Sequence, residues 1–460
     1  MRTLITGGLV ITASDELAVD VLIEDEKVVA LGTGQGWTAD TVIDATGKYV
    51  IPGGVDGHTH MEMPFGGTVA ADNFETGTRA AAWGGTTTIV DFAIQSMGAT
   101  LREGLDAWHA KAEGNCAIDY GFHMIMADVN EGSLKEMEGL VGEGVTSFKL
   151  FMAYPGVLYS DDGQVLRALQ KGAETGGLIL MHAENGIAID VLIEQALARG
   201  QTDPRYHGVV RHELLEAEAT HRAIKLAQVA NAPVYIVHLS ATSALAEVAK
   251  ARDEGYNAFA ETCPQYLFLS TDDLARPDFE GAKYVCSTPL RPKEHQAALW
   301  RGLRTDDLSV VSTDHCPFCF KGQKELGLGD FSKIPNGLPS VEHRMDLLHT
   351  GVLEGHISRR RWIEIACATP ARMFGLYPRK GTIAPGSDAD VVIYDPHAKQ
   401  VFSAATHHMA VDYSCYEGKE ITGRVKTVLS RGRVVIDDGE YRGTAGHGQF
   451  LKRDTCQYLR

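Results

Sequence analysis

"GGVDGHTHMEMPFGG", residues 53–67, governs how the rest of the chain is read. Two histidines, His58 and His60, sit one residue apart and run into an apolar, glycine-ended loop. On a strand, side chains two apart point to the same face, so both imidazoles could reach one ion. Taken alone, the pair is weak evidence and reads more readily as two polar residues at a strand end. The metal reading needs partners elsewhere in the chain, at positions that a fold would bring together.

Eight short apolar runs supply the frame. They are "GGVDGHTH", "GTTTIVDFA", "DYGFHMIMA", "GVTSFKLFM", "GLILMHAEN", "PVYIVHLS", "NAFAETCP" and "LSVVSTDH". Helical stretches such as "NFETGTRAAAWGG" and "RHELLEAEATHRAIKLAQVAN" lie between them. Strands alternating with helices predict a parallel α/β sheet. Eight repeats predict a closed (β/α)8 barrel of the TIM type over residues 54–370, somewhat larger than the typical size of about 250 residues. The first fifty residues and the last ninety or so read instead as short strands joined by tight turns. Chain ends commonly lie close together, which predicts one small β-sandwich built from residues 1–53 and 371–440. Residues 441–460 are left as a tail, a possible oligomer arm.

In such a barrel the chemistry gathers at the C-terminal ends of the strands. Those ends carry His58 and His60 (first), Lys149 (fourth), His182 (fifth), His238 (sixth) and Asp314 (eighth). Convergence on one rim turns the opening pair into metal ligands. Six groups exceed what one tetrahedral ion uses, so two divalent ions are expected. A lysine at a strand end more often reaches solvent. Burial beside positive charge would instead favour its neutral amine. A neutral amine can take up carbon dioxide, giving an anionic carbamate able to bridge ions about 3.5–4 Å apart.

Composition excludes several other functions. Formal net charge is −17 and no basic run interrupts it, which argues against a nucleic-acid groove or an anionic membrane surface. No apolar stretch approaches the roughly 20 residues of a membrane span. The N-terminal segment alternates as a strand does, and Asp15 and Glu16 stand where a leader would carry a cleavage site, so a cytoplasmic protein is expected. The eight cysteines fit buried thiols in a reducing compartment. Cys316 and Cys319 have zinc-ribbon spacing but lack a second pair in the sequence, and are read as core thiols.

The chain resembles the amidohydrolase superfamily, and within it the D-hydantoinases and dihydropyrimidinases. The resemblance rests on "DGHTHMEMPFGGT", "GVTSFKLFMAYPG", "MHAENG", "VHLS", "AETCPQYL", "CSTPLRP", "STDHCPF", "IPNGLPSVEHR" and "ATPARMFGLYPRKGTIAPGSDADVVIYD". It implies that His58, His60 and Asp314 hold one ion, that His182 and His238 hold the other, and that carboxylated Lys149 bridges them. It further implies that Tyr154 donates to the substrate carbonyl and that main-chain groups of Ser287 and Asn336 hold the amide edges of the ring. Asp314 would also move the proton from attacking water to the leaving ring nitrogen. The product is an N-carbamoyl amino acid. Zinc is the expected ion, although this donor set suits manganese as well. A homotetramer and a preference for D substrates are family expectations only.

Dihydroorotase and allantoinase are alternative readings, as is a non-catalytic scaffold of the collapsin-response-mediator type, whose members have lost metal ligands. Dihydroorotases typically place arginine two residues after the second histidine, where this chain has Glu62. Met61, Met63, Pro64 and Phe65, with Phe151 and Ile94 near other strand ends, are expected to line an apolar pocket for an uncharged ring substituent.

Overall fold

A computed structural model describes residues 1–459. All eight expected strands form, and they pair in sequential order as one parallel sheet. They are Gly54–Thr59, Thr86–Ile94, Asp119–Ile125, Ser147–Phe151, Leu178–His182, Val234–Ile236, Ala258–Thr262 and Val310–Val311. Nearly every residue in them is buried, as expected of strands covered on both faces. Inward-facing Val55, Val90, Phe92, Leu180, Tyr235 and Phe259 fill the barrel, and a larger apolar layer lies between the strands and the surrounding helices.

The first and eighth strands meet through side chains more than through a ladder. Thr59 and His315 form a single parallel bridge, and the His60 N–H donates to the His315 carbonyl at 2.9 Å. Below that bridge Asp56 accepts from the Thr313 hydroxyl at 2.6 Å and from the Thr313 N–H at 3.1 Å. Deeper still, Arg344 is fully buried. Its guanidinium donates to the carbonyls of Val55 (3.0 Å), Val311 (3.0 Å) and Ala366 (3.2 Å), and to the Thr86 hydroxyl (3.1 Å).

Both chain ends contribute to one seven-stranded sheet. Leu9–Ile11, Glu16–Leu17 and Tyr49–Pro52 come from the start, and Val391–Val401, Glu420–Ser430, Arg433–Asp437 and Glu440–Tyr441 from the end. A four-stranded sheet of Arg2–Thr6, Asp20–Glu24, Lys27–Gly32 and Thr41–Asp44 completes the smaller body. Their shared core includes Ile5, Val21, Ile23, Val391 and Ile393. This body is locked to the barrel by Lys380, whose buried ammonium pairs with Asp119 (2.7 Å), Asp390 (2.8 Å) and Asp388 (3.0 Å).

Two segments pack in ways that the sequence reading did not specify. Strands of the smaller body resume only at Val391; Ala371–Leu376 instead enter the barrel interior. The tail, expected as a possible arm toward another chain, packs on its own barrel. Leu451 donates to the Tyr120 carbonyl at 2.7 Å, and buried Arg453 reaches the Ser147 hydroxyl at 2.8 Å. Leu451 and Cys456 join Phe374 in filling the barrel floor. The physical reason is an apolar opening at the N-terminal end of the barrel, which these side chains cover.

Arg344→Met should lower stability by about 3–5 kcal/mol, because it strips buried carbonyls of their donor and leaves Asp56 without its nearest cation. The check is the denaturant midpoint. A midpoint equal to wild type would mean that the seam closes without the guanidinium.

Candidate metal centre

The six side chains at the strand ends converge, and all are buried. Nε2 of His58 lies 3.1 Å from Nε2 of His60 and 3.1 Å from Oδ1 of Asp314, and His60 Nε2 is 3.2 Å from the same oxygen. Ligand atoms of these three residues lie within 4.8 Å of one another, close enough to share an ion. The Lys149 ammonium is 2.9 Å from His58 Nε2, between the rings of Phe92 and Phe151. His182 Nδ1 faces His238 Nε2 at 2.9 Å.

Backbone geometry aims several of these groups. Tyr154, His238 and Asp314, together with Glu62, adopt left-handed backbone conformations, with φ of 61°, 39°, 51° and 53°. For residues with a Cβ this conformation is uncommon, and strained positions of this kind cost about 1–3 kcal/mol each and gather where function over-determines the backbone.

The donor set fits divalent cations. Glu261 accepts from Nδ1 of His58, which leaves Nε2 as the lone-pair nitrogen. Glu184 does the same at Nε2 of His182 (2.8 Å), leaving Nδ1 free to face His238. Burial drives His60 down to about 3 and His238 well below the ordinary histidine range, so both imidazoles are neutral. Nδ1 of His60 and Nδ1 of His238 are buried without a partner among the described residues. Burial and Lys149 pull His58 down, but Glu261 and Asp314 outweigh them and raise it. The two carboxylates thus make this end of the site favourable for a cation. Burial pushes Asp314 upward, yet His58 and His60 hold it well below the usual carboxylate range. Burial pushes Lys149 down to about 8, against the pull of Asp314 and Glu261, a shift toward the neutral amine.

Above the centre, Tyr154, Ser287 and Asn336 form one wall of a small chamber of about 40 Å³. The Asn336 amide donates to the Ser287 hydroxyl at 3.0 Å. Burial raises the Tyr154 hydroxyl against the pull of Arg211. Met63, Phe65 and Phe151 line the same chamber, which shares walls with an outer cavity of about 1390 Å³ bordered by Pro64 and Ile94.

One expected pocket residue, and the acid next to it, lie elsewhere. Met61 is fully buried beneath the helix Phe74–Trp83, its sulfur against Gly77. The Glu62 carboxylate turns to the Phe74 N–H (3.5 Å) and to Lys111 (4.0 Å), so it bears less on the substrate than its sequence position suggested. Cys316 is buried in the chamber wall, Cys319 is half-buried, and all eight cysteines are free. Three charged residues escaped the sequence reading. Glu261, a lone carboxylate in an apolar strand, and Glu184, two residues after His182 and so on its face, left signals that could have been used. Arg211, which pairs with Glu184 at 2.7 Å and lies over the Tyr154 ring, left none.

Glu261→Gln should fold and weaken metal retention by about 10–100-fold, since it removes the carboxylate that fixes the His58 tautomer. Metal content after dialysis is the readout; full retention would show that the tautomer is set otherwise.

Comparison with known proteins agrees with this geometry. Residues 49–435 match the family model described as the amidohydrolase family. The chain is 78% identical to a D-hydantoinase of Streptomyces coelicolor, across 100% of this chain and 99% of the relative. It is 44% identical to a D-phenylhydantoinase of Escherichia coli, across 98% of each. The fold superposes on the crystal structure of a dihydropyrimidinase from Brevibacillus agri with a TM-score of 0.98 at 51% identity, covering 99% of both chains. The chain belongs to the amidohydrolase family, within the group that holds the D-hydantoinases and dihydropyrimidinases.

Proposed function

We propose that this protein is a hydrolase of cyclic amides that opens hydantoin and dihydropyrimidine rings to N-carbamoyl amino acids, with D selectivity at the ring carbon. The observation that carries the reading is one chamber that Tyr154, Ser287 and Asn336 line together with His60, Lys149, His182, His238 and Asp314, five of the six metal-type ligands. Relatives named D-hydantoinase and D-phenylhydantoinase support the substrate class.

His58, His60 and Asp314 would hold one divalent ion and His182 and His238 the second, with Lys149 joining them as a carbamate. Zinc suits this imidazole-rich set. When bound, the ions supply Lewis acidity and bring the pKa of a water molecule to about 7. The remaining work falls to the chain. The Tyr154 hydroxyl donates to the ring carbonyl oxygen as negative charge develops there. Asp314 accepts the proton of the attacking water and delivers it to the ring nitrogen as the C–N bond breaks. Ser287 and Asn336 hold the amide edges of the ring. Met63, Phe65 and Phe151 receive the ring substituent. Lys149 forms its carbamate when the neutral amine adds carbon dioxide and loses one proton, and its lowered pKa favours that amine.

A cytoplasmic homotetramer is part of the proposal. Among the described residues no helix is long and apolar enough to cross a membrane. Ile187 and Val191, one turn apart on the helix Gly186–Ala198, are both about half exposed, which suits a face covered by another copy.

Dihydroorotate carries a carboxylate and needs a cation. The two cations bordering the outer cavity are already paired, Arg211 with Glu184 at 2.7 Å and Lys333 with Asp330 at 3.2 Å. Hydantoin, 5-substituted hydantoins with apolar or aromatic groups, and dihydrouracil should therefore be turned over, and dihydroorotate poorly or not at all. A panel of these rings with metal-reconstituted enzyme is the test; efficient dihydroorotate hydrolysis with no activity on hydantoin or dihydrouracil would overturn the assignment. Lys149→Ala should fold yet lose metal and nearly all turnover. Lys149→Arg should not restore either, because guanidinium does not take up carbon dioxide. Normal metal content and turnover in Lys149→Ala would end the carbamate role.

A further inference from the structure

Behind the substrate wall lies a charge that the chemistry above does not use. Lys324 is fully buried, and its ammonium donates three hydrogen bonds: to the carbonyls of Pro335 (2.7 Å), Val285 (2.8 Å) and Gly337 (2.8 Å). All three partners are main-chain groups, so no ion pair offsets the desolvation of the cation, an arrangement that is costly in a core. The three carbonyls belong to two separate segments. One leads into Ser287; the other flanks Asn336 on both sides.

A trans peptide is planar, with its C=O and N–H pointing in opposite directions. Drawing the Pro335 carbonyl back onto Lys324 turns the N–H of Asn336 away from the ammonium, toward the chamber that Asn336 lines. Val285 accepts a second bond, from the Gly337 N–H at 3.0 Å, so the two segments are also tied to each other. Gly337 has φ +152° and is pressed so closely on the Cys316 carbonyl that a Cβ would sit 2.1 Å from it. The wall is thus held from behind by Lys324 and from the side by the chain that follows Asp314.

We propose that Lys324 is a positioning residue for ring capture: it sets the main-chain geometry of residues 285–287 and 335–337 on which the amide edges of the substrate are held. The inference rests on the proposed function and adds to it a determinant of substrate binding that touches neither metal nor substrate. Lys324 opens the short turn Lys324–Gly327, whose Leu326 borders the outer cavity. One segment therefore shapes the mouth and braces the wall.

The test compares metal-loaded wild type with Lys324→Met and Lys324→Gln on hydantoin and dihydrouracil, with metal content measured on each preparation. Lys324→Met should keep its metal, raise KM about tenfold or more, and change kcat less than about threefold, the signature of lost uniform binding. Lys324→Gln, which keeps two N–H donors without the charge, should fall between. An unmoved KM in both variants, whatever happens to kcat, overturns the assignment. So does failure of both to fold, which would make Lys324 a determinant of the fold and not of the wall. The wild type is read first. Absence of ring opening there sinks the functional reading and this inference with it, whereas ring opening with unmoved KM in the variants sinks Lys324 alone.

Discussion

Between the first and eighth strands the barrel's hydrogen-bond ladder shrinks to the bridge of Thr59 and His315, and the seam is held instead by Asp56 and Arg344. Everything at the centre depends on that closure, because His58 and His60 stand on one side of it and Asp314 on the other. A slip of one residue would send alternate side chains to the opposite face and take both imidazoles out of reach of the carboxylate. A parallel ladder alone tolerates small shifts. A planar guanidinium that donates to three carbonyls at once does not, which is why rigidity of register is bought here with a buried charge.

The same logic extends around the rim. Glu261 touches His58, the Tyr235 hydroxyl (2.9 Å) and the Ser312 hydroxyl (2.8 Å), so one carboxylate links the sixth, seventh and eighth strands to a ligand on the first. Glu184 links His182 to Arg211 in the helical layer. Each such acid fixes a tautomer and adds negative charge near a place that needs a cation. The protein thus prepares the electrostatics of the centre with residues that contact no substrate.

Much of this was legible in the sequence. Each barrel strand is a β-branched or apolar run with flanking glycine or a helical stretch, and the reactive residues sit at strand ends, where a two-residue period still holds. Legibility stopped where that period stopped. Glu62 turns left-handed, so alternation beyond His60 no longer says which side chain faces the chamber; Met61 went under a helix and Glu62 toward Lys111. Arg344 and Lys324 were hidden for another reason. A buried cation looks like any surface arginine or lysine until the distant carbonyls that receive it are known. The packing of the tail was illegible for a similar reason, since its apolar residues are isolated among polar ones and gain meaning only against an opening made elsewhere.

That tail has a consequence for how the molecule comes into being. Arg453 reaches Ser147, 306 residues earlier in the chain, and Leu451 and Cys456 fill the floor beneath strands that emerge from the ribosome long before them. While the chain is being made, the barrel must wait with its lower end unsealed, its interior Val, Phe and Leu side chains facing water or a chaperone. Strands of the smaller body wait too, since Tyr49–Pro52 pairs with Val391–Val401. Floor and flanking sheet can therefore close only once residues near 450 have been made, so the barrel's closure is a long-range event in the chain.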